Sequence, residues 1–598
     1  MKDIQPLDLL DIHDFNKRSD NFLNFLNKFI KFKKVKEIYK EHSVKEGIDF
    51  VDSILDELNL TIDISEKDLQ RIPEKGAFII VSNFPMGGLE ALFLVKIISA
   101  KRPDFKIVTS HKYHEIEPFR NLTIPINKKD PKSFNPCLNC TKSILNYIID
   151  GGSVGFFPAG RIATYNRNAK KILDVQWDIR IAKLIKIAKI PVVPIYFNDS
   201  FRKLFHAIGN LHPFLQSFFL QKEMLKKRNS IGAVRIGNPI KLEEQNNFPD
   251  LWQYSRFLRA RVYALGANAP IDVDNFFKHK KKFRLSKVEK IAESQPEKVI
   301  IDQINKAKVE YLLYTQGGFD IICAPTDVFP NVLTELGRLR EITFREVGEG
   351  TNKSIDIDEY DLYFQHLVIW DNKENKIVGA YRIGKGDEIV EQYSVDGFYI
   401  SSLFRIKKGL APVLKQSLEM GRSFIVREYQ RKPLSLFMLW KGIFYFLLKN
   451  PQYRYLLGPV SISQDFSELT KNLIVNFFEN YYFQPLWAKH IKPRKKYKVQ
   501  VEEFDKTILL QDIGNDLNKL DRYVKEIEPD GRIPVLFKKY ISLGAKTLAF
   551  NVDPKFNNCI DGLMLLDMFD VPHETLRVLA KDLEDESILE RFNIEIFK

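Results

Sequence analysis

Short apolar runs alternate with helical patterns between about residues 75 and 240, and this alternation constrains the fold more than any other feature. The runs read GAFIIVSN, FKIVTS, GSVGFFPAG, IPVVPIYF and GAVRIGNPI, and turn residues bound each of them. Such runs are typical of buried strands, and helices between them allow parallel pairing. The pattern predicts an α/β domain with a largely parallel sheet, in which ligands bind at the carboxyl ends of the strands.

A second α/β pattern follows a charged, thinly apolar stretch. HLVIWD, NKIVGAYRIG, GFYISS and SFIVREY are strand-like, whereas LAPVLKQSLEM and LSLFMLWKGIFYFLL are helix-like. We therefore predict a helical N-terminal segment at 1–65, a first domain at 66–265, a linker at 266–310 and a second domain at 311–598. The N-terminal segment repeats apolar residues at helical spacing between lysines, which fits a membrane-facing helix and a core helix equally well.

Charge and composition narrow the class of partner. The 598 residues carry a formal net charge of +14, with basic clusters at 28–40, 278–287 and 489–498. Phenylalanine and tyrosine are interleaved with the basic residues, and no zinc-finger, RNP or basic-zipper motif accompanies them. This mixture favours an anionic membrane surface or an acidic carrier protein over nucleic acid.

Targeting signals and cysteines bear on the compartment. No stretch of about 18 uninterrupted apolar residues occurs, and the N-terminus has no signal-like apolar core. Four cysteines fit a reducing compartment, and the lone CxxC of Cys137 and Cys140 leaves zinc or redox work only as a minor alternative. We expect a cytoplasmic protein that is peripheral on the inner face of the membrane and has no metal site.

The stretch SNFPMGGLE places turn residues directly after a buried apolar run. Such turns often position functional groups, and Gly87 and Gly88 permit an unusual backbone path. Phe84, at the head of the turn, has no proton to exchange, whereas Glu90 supplies a carboxylate. A second turn, FPAGR, follows another predicted strand, so it belongs at the same edge of the sheet.

These turns, with Trp177 and Ile179 before a helix and the run IPVVPIYF, follow an order that resembles the glycerolipid acyltransferase family in its hemolysin-like branch. The resemblance covers roughly residues 70 to 240. In that family a His–Asp pair deprotonates the acceptor hydroxyl, which attacks an acyl thioester, and a later Phe-Pro-x-Gly loop lines the acceptor and phosphate region. The resemblance implies substrate-binding roles for members of both loops: Asn83, Phe84, Gly87, Gly88, Phe157, Pro158, Gly160 and Arg161.

This chain departs from the family pattern at the position of the general base. Phe84 stands at the histidine position, Glu90 keeps a carboxylate at the aspartate position, and Arg161 follows the second loop where a glutamate is common. Loss of a general base slows hydroxyl attack by about 10²- to 10⁴-fold. The first domain therefore either binds lipid or acyl chains without efficient O-acylation or stays active through another group. Glu90 is the remaining catalytic candidate, and His111 and His114 are the nearest spare imidazoles.

The second half contains LGRLREITFREVGEG, DIDEYDLYFQHLVIWD, IVGAYRIG, LEMGRSFIVREYQ and FMLWKGI in that order. The set resembles the N-acyltransferases that begin ornithine- and glycine-lipid synthesis, which are similar to acyl-homoserine-lactone synthases and have a GNAT-like core. The resemblance implies that Glu419 is catalytic. It further implies that the other members of these motifs bind substrate: Arg340, Phe344, Asp358, Asp361, Arg382 and Arg422. The stretch YSVDGFYISSL departs from the family pattern, which leaves the choice of acceptor open.

The chemistry of these residues supports the same roles independently of the resemblance to the family. The amine of an amino acid is mostly protonated near neutral pH and must lose a proton before it attacks a thioester. A partly buried carboxylate such as Glu419 can remove that proton directly or through water. Arg382 and Arg422 can hold a substrate carboxylate, with Asp358 and Asp361 orienting them. The alternative is a purely structural network of ion pairs.

The joined order of the two halves resembles the fused synthases of amino-acid-containing lipids. It implies an enzyme without a bound cofactor, whose second domain forms a (3-hydroxy)acyl amide from an acyl thioester and whose first domain esterifies the hydroxyl. No glycine-rich loop for coenzyme A pyrophosphate is evident, so acyl carrier protein is the expected donor and partner, with acyl-CoA as the alternative. Membrane lipids and an amino acid acceptor are further expected partners. A non-catalytic membrane scaffold and a nucleic-acid-binding protein are the competing interpretations.

Overall fold

The computed structural model describes residues 41–594, except for 86–87, 111–113, 115, 127–135, 167–170, 199–230, 269–287, 431–432, 499–504, 583–585 and 593. The chain divides into two compact units. The first unit comprises Met1–Lys278 and Gln500–Pro529, and the second comprises His279–Val499 and Asp530–Lys598. The amphipathic helix predicted before residue 41, Gly87 and His111 lie outside the described residues.

The first unit contains a seven-stranded sheet and a separate two-stranded one formed by β6 and β7. The strands are β1 (Thr61–Asp63), β2 (Ile79–Ser82), β3 (Lys106–Ser110), β4 (Thr123–Ile126), β5 (Val154–Phe156), β6 (Thr164–Asn166), β7 (Lys171–Leu173), β8 (Val192–Phe197) and β9 (Ile231–Ile236). The order is β1-β9-β8-β2-β5-β3-β4, and every neighbouring pair is parallel except β8 and β9. The predicted α/β fold with a largely parallel sheet is confirmed.

The second unit contains an eight-stranded sheet and a two-stranded ribbon. The strands are β10 (Leu312–Gln316), β11 (Phe319–Pro325), β12 (Gln365–Asp371), β13 (Lys376–Lys385), β14 (Phe404–Ile406), β15 (Ser417–Ile425), β16 (Tyr455–Ile462), β17 (Ile491–Pro493), β18 (Lys546–Asp553) and β19 (Cys559–Asp567). The order of the larger sheet is β10-β11-β12-β13-β15-β16-β19-β18, while β14 pairs with β17. All neighbours in the larger sheet are antiparallel except β15 and β16.

Helices accompany both sheets. The α-helices are α1 (Gly47–Glu57), α2 (Glu66–Leu69), α3 (Leu89–Ser99), α4 (Pro136–Ile149), α5 (Ile179–Ala188), α6 (Leu242–Asn246), α7 (Leu251–Leu265), α8 (Glu297–Tyr311), α9 (Pro330–Glu346), α10 (Gly386–Tyr393), α11 (Ile400–Leu403), α12 (Ala411–Lys415), α13 (Pro433–Lys449), α14 (Glu468–Tyr481), α15 (Pro485–Ala488), α16 (Lys506–Ile513), α17 (Leu517–Ile527), α18 (Val535–Ser542) and α19 (His573–Asp582). No helix of the described residues is long and apolar enough to cross a membrane.

The parallel pairing between β15 and β16 is short. It joins Ser417 to Tyr455 and ends where Glu419 pairs with Leu457. Beyond that point the two strands no longer share a ladder, so the sheet forks. Close approach at the fork requires a glycine, because a Cβ atom on Gly458 would lie 2.3 Å from the carbonyl oxygen of Met420. Glu419 is therefore the last paired residue before the fork.

The structure differs from the predicted elements at several places. The C-terminal part of the expected linker forms α8, and the expected helical N-terminal segment includes β1. Residues 500–529, assigned by sequence to the second domain, belong to the first unit and form α16 and α17. GFYISS ends in α11 instead of a strand, because backbone N–H groups at the start of that helix bind a buried carboxylate. LAPVLKQSLEM is helical only as far as Lys415, and its last residues lie in β15.

Candidate active site

The two loops singled out in the first unit meet at one edge of its sheet. β2 and β5 are parallel neighbours, so the turn after Ser82 and the turn after Phe156 lie side by side. Asn83 is buried, and its side chain accepts from the backbone N–H of Phe197 and donates to the carbonyl of the same residue, both at 2.8 Å. This amide therefore ties the first loop to the end of β8.

Phe84 forms the contact between the two loops. Its ring lies 5.0 Å from the ring of Phe157, measured between centroids. Its carbonyl accepts a hydrogen bond from the N–H of Ala163 at 2.9 Å, and its own N–H donates to Asp174 at 3.1 Å. The position expected for a catalytic imidazole thus carries an apolar ring that packs against the second loop.

Asp174 is a residue of this site that the sequence analysis missed. Besides the N–H of Phe84 it binds the indole N–H of Trp177 at 2.9 Å, and its own N–H donates to the hydroxyl of Tyr263. Burial raises the pKa of Asp174 to about 6, and the hydrogen bonds from Trp177 and Phe84 offset part of that rise. The DVQW sequence could have indicated it, since an acid three residues before a buried tryptophan can accept from the indole.

The remaining candidates of the first unit are placed as follows. Glu90 is fully buried and accepts from the N–H of Gly88 at 2.8 Å, and Gly88 has a φ of 129°, which favours glycine. In the second loop Pro158 is buried, and Gly160 (φ 65°) closes a turn by donating to the carbonyl of Phe157. Arg161 is exposed. His114 bonds to Thr123 at 2.9 Å.

Glu419 lies in the middle of the second unit's sheet, between β13 and β16. Its side chain is buried, and its two oxygens accept the backbone N–H groups of Tyr399 at 2.9 Å and Ile400 at 2.7 Å. Burial raises the pKa of Glu419 to about 7, against the opposing influence of those hydrogen bonds and of Arg382. The carboxylate is thus held in a fixed orientation and titrates near neutrality.

A buried network of arginines and aspartates lies on the β13 side of Glu419. Arg340 of α9 and Arg382 of β13 both bind Asp361, with Nη1 to carboxylate distances of 2.7 and 3.2 Å. The Nη1 atom of Arg382 also binds Asp358. Burial acts to raise the pKa of Asp361, but these guanidinium groups hold that pKa well below its usual range. Among the described residues, Nε and Nη2 of Arg382 have no hydrogen-bond partner.

Arg422 occupies a strained position in β15. Its φ is 53°, and the register between β13 and β15 shifts at this point, as expected for a β-bulge. Its guanidinium binds Asp356 at 2.9 Å and Asp358 at 3.0 Å, and lies over the rings of Tyr399 and Phe556. Nε and Nη2 therefore each lie at ion-pair distance from a carboxylate, although Nε and the Asp356 oxygen beside it lack hydrogen-bond geometry.

The structure brings the predicted residues of the second unit together with several that were missed. Phe344, one turn after Arg340 on α9, is partly buried. His366 is buried, and burial lowers the pKa of its ring to about 3, so it is neutral where Thr326 and Arg340 contact it. Asp561 is also buried; burial raises its pKa to about 7, and Ser461 donates to it at 2.7 Å.

No group of His, Cys, Asp and Glu in the described part of the chain is arranged to hold a metal ion. Cys140, Cys323 and Cys559 form no disulfide bond. The second unit's site therefore consists of a central carboxylate, a guanidinium network and aromatic rings, which are groups suited to moving protons and binding small anions.

Comparison with known proteins finds acyltransferase matches for both halves of the chain. A family model described as Acyltransferase matches residues 19–272, and one described as Acetyltransferase (GNAT) domain matches residues 339–441. The chain is 29% identical over 227 residues to a glycine N(alpha)-acyltransferase of Phocaeicola vulgatus, which is 36% of this chain and 68% of the relative. It is 27% identical over 236 residues to a lyso-glycine lipid O-acyltransferase of the same species, which is 38% of this chain and 81% of the relative.

A solved structure of a CoA-dependent acyl-homoserine lactone synthase aligns with 44% of this chain and 90% of that chain, at 14% identity and a TM-score of 0.24. The two folds and the two family matches define an acyltransferase. More particularly, the chain carries an acyltransferase domain in its N-terminal region and a GNAT domain in its C-terminal region.

Proposed function

We propose that the chain acts in aminolipid synthesis and that its second unit transfers a (3-hydroxy)acyl group from an acyl thioester to the amine of an amino acid, with glycine as the first candidate. The names of its relatives, a glycine N(alpha)-acyltransferase and a lyso-glycine lipid O-acyltransferase, support this choice. The observation that carries the proposal is the buried Glu419 at the fork of the sheet, with a pKa of about 7.

Glu419 has the properties of a general base for amide formation. A base with a pKa near the working pH combines sufficient deprotonation with sufficient basicity. In the proposed reaction Glu419 accepts a proton from the acceptor ammonium, and the freed nitrogen attacks the thioester carbonyl. The C–S bond then breaks, and the departing thiolate takes up the second proton that the attacking nitrogen loses, so that an amide and a thiol are formed.

Arg382 is the better of the two candidates for binding the acceptor's carboxylate. Its side chain is fully buried, yet its Nε and Nη2 atoms have no hydrogen-bond partner within the described ranges. A buried guanidinium with free donors favours an anionic ligand, because unpaired buried donors are costly. Both arginines bind two carboxylates, but those of Arg382 share its Nη1 atom, whereas Asp356 and Asp358 bind Nε and Nη2 of Arg422 separately, so we assign Arg422 a positioning role.

The donor in this proposal is an acyl thioester carried by acyl carrier protein, with acyl-CoA as the alternative. The net charge of +14 supports an acidic carrier, because complementary charge steers association. Beyond the fork, β15 and β16 no longer pair with each other, and the acyl-thioester arm can bind to the backbone groups that face the gap between them.

For the first unit we propose lipid or acyl-chain binding, with O-acylation that is inefficient because Phe84 replaces the base. The packing of Phe84 on Phe157 favours this assignment, since the two rings form an apolar surface between the loops. The second candidate function for the whole chain is a membrane scaffold without turnover, which the missing imidazole also favours.

Lipid mass spectrometry of cells that express the full chain tests the proposal. We expect an N-acylated amino acid lipid with the wild-type chain and with the control variant Glu391→Gln, since Glu391 is exposed. The variant Glu419→Gln should produce little or none. Equal amounts of amide lipid from both variants, or none from the wild type, would contradict the proposal; lipid binding without any amide would favour the scaffold.

A further inference from the structure

The ribbon of β14 and β17 carries an unusual concentration of positive charge. Residues 489–498 contain six lysines and arginines and no acid, and β14 with the two residues after it adds Arg405, Lys407 and Lys408. We call residues 404–408 and 489–498 the basic ribbon. Within the described part of the chain, no cation of the basic ribbon forms a direct ion pair with a carboxylate, although Lys496 acts on the Glu479 carboxylate and Lys495 donates to Asn558.

Two of these cations face each other directly. Arg405 and Lys492 are cross-strand partners, and both are exposed. Like charges at paired positions destabilise a sheet, so nothing in the ribbon itself favours this arrangement. The opposite face is apolar and buried, since Phe404 is 0% and Ile491 7% exposed. The hydrophobic packing therefore fixes the ribbon and presents its cations outward.

Large apolar side chains are exposed immediately before the basic ribbon. Tyr481, Phe483 and Leu486 are 42%, 41% and 52% exposed. We call these three residues the apolar rim. They adjoin the ribbon through α15, whose Trp487 carbonyl accepts from the N–H of His490 at the start of the basic run. An exposed apolar group of this kind beside unpaired cations indicates a contact surface.

We propose that the basic ribbon and the apolar rim together form a docking surface for an anionic lipid bilayer. Lysine and arginine are attracted to the negative headgroups, and aromatic and leucine side chains insert at the level of the headgroups. Charge alone also fits an acidic protein or nucleic acid, but the exposed apolar rim favours a lipid interface. The inference deepens the proposed function, on which it rests for the lipid nature of the product.

The surface also lies close in sequence and bonding to the catalytic carboxylate. Tyr399 and Ile400, whose N–H groups hold Glu419, begin the segment that continues through α11 into β14. Arg494 of the basic ribbon donates from Nε to the carbonyl of Ser401 in α11. The basic ribbon is therefore bonded to the segment whose N–H groups orient Glu419.

Sedimentation of the full chain with vesicles tests this inference without any catalytic step. We expect binding to phosphatidylcholine vesicles that contain phosphatidylglycerol, weaker binding without it, and loss of binding at high salt. The double variant Arg405→Glu/Lys492→Glu keeps a like-charge pair in the ribbon, so its fold should be retained while its vesicle affinity falls by about tenfold or more. Phe483→Ser/Leu486→Ser should also weaken binding.

Matched controls change the same charge and apolarity elsewhere in the second unit. Lys373→Glu/Lys376→Glu reverses two exposed lysines, one in the turn after β12 and one at the start of β13, and Val309→Ser removes an 88% exposed apolar side chain. These variants should bind vesicles as the wild type does. Unchanged vesicle binding by both ribbon and rim variants, or losses equal to those of the controls, would overturn the inference.

A soluble assay separates this inference from the proposed function. Acyl transfer to glycine from a short acyl thioester in detergent should be equal in the wild type and the ribbon variant, because Arg405 and Lys492 are exposed and the N–H groups that hold Glu419 belong to Tyr399 and Ile400. If only transfer from acyl carrier protein falls while vesicle binding stays intact, the ribbon is a carrier surface and the bilayer assignment is wrong. If no chain transfers acyl groups but vesicle binding behaves as expected, the proposed function fails and the docking surface stands.

Discussion

Arg261 of α7 and Glu526 of α17 lie 265 positions apart and form a buried ion pair, with an Nη2–Oε1 distance of 3.0 Å. Tyr523 packs its ring 4.6 Å from the same guanidinium, and Asn238 donates to the other oxygen of Glu526 at 2.8 Å. The first unit is thus completed by a segment that follows most of the second unit in sequence. A chain that ends at residue 278 would leave Arg261 buried without its counter-ion.

Glu526→Gln should therefore destabilise the first unit by about 3 to 5 kcal/mol, because removal of one partner leaves a buried charge uncompensated. Urea unfolding of the full chain, with hydrogen exchange of peptides from α7 as the probe, measures this loss. Arg522→Ala is the control, since Arg522 is 56% exposed and its 3.4 Å pair with Glu244 is worth at most about 1 kcal/mol. Equal effects of the two variants would show that the buried pair does not hold the unit together.

Asp174→Asn should change the pH dependence of the first unit's stability. The pKa of Asp174 is about 6 in the folded chain, above its ordinary value of 3.8. Between these values the folded chain holds the proton and the unfolded chain does not, so stability falls as the pH rises from about 4 to above 6. Urea unfolding of wild type and variant across this range should diverge by about 3 kcal/mol, with the wild type losing more. Parallel curves would contradict the assignment.

Phe84→His should raise O-acyl transfer to a lyso-lipid, by up to about 10²- to 10⁴-fold, because it supplies a general base in the stretch that also carries the Glu90 carboxylate. Product formation from a radiolabelled acyl thioester gives the rate. Phe84→Gln, which restores polarity without a base of suitable pKa, is the control and should gain nothing. No gain with histidine would count against the view that the lost imidazole limits this unit.

Asp361→Asn should destabilise the second unit by about 3 to 5 kcal/mol, since it leaves Arg340 and Arg382 buried with too little negative charge. Thermal unfolding monitored by tryptophan fluorescence gives the difference. The same substitution at the exposed Asp302 of α8 should leave stability within about 0.5 kcal/mol of the wild type. A small effect at Asp361 would mean that the network is solvated or dispensable.

Most of the fold could be predicted from the sequence, because the strands are buried apolar runs with clear turn boundaries. The predictions were wrong where a contact with a residue distant in sequence overrode the local preference. The β-branched and aromatic residues of GFYISS favour a strand, yet Ile400 begins a helix whose N–H binds Glu419. Residues 500–529 were assigned to the wrong unit because the pairing of Arg261 with Glu526 leaves no local signal.

The residues of the candidate sites also fall into two groups, those that a sequence motif indicates and those that only distant contacts reveal. Glu419, Arg382 and Asp361 belong to recognisable motifs, and the structure pairs Arg382 with Asp361 and places Glu419 on the strand next to Arg382. Asp174 was missed because its partners, the N–H of Phe84 and the hydroxyl of Tyr263, lie 90 and 89 positions away in sequence. Sequence also could not separate the roles of Arg382 and Arg422, since that distinction depends on which guanidinium atoms already have carboxylate partners.

The most direct test of the account is the pH dependence of single-turnover N-acyl transfer to glycine by the wild-type chain and by Glu419→Gln. If Glu419 is the base, the wild-type rate rises with pH and levels off above about 7, where its carboxyl is deprotonated. The variant should be slower by about 10²- to 10⁴-fold and should lack that inflection. A variant that forms the amide at the wild-type rate, with the same pH profile, would contradict the central claim.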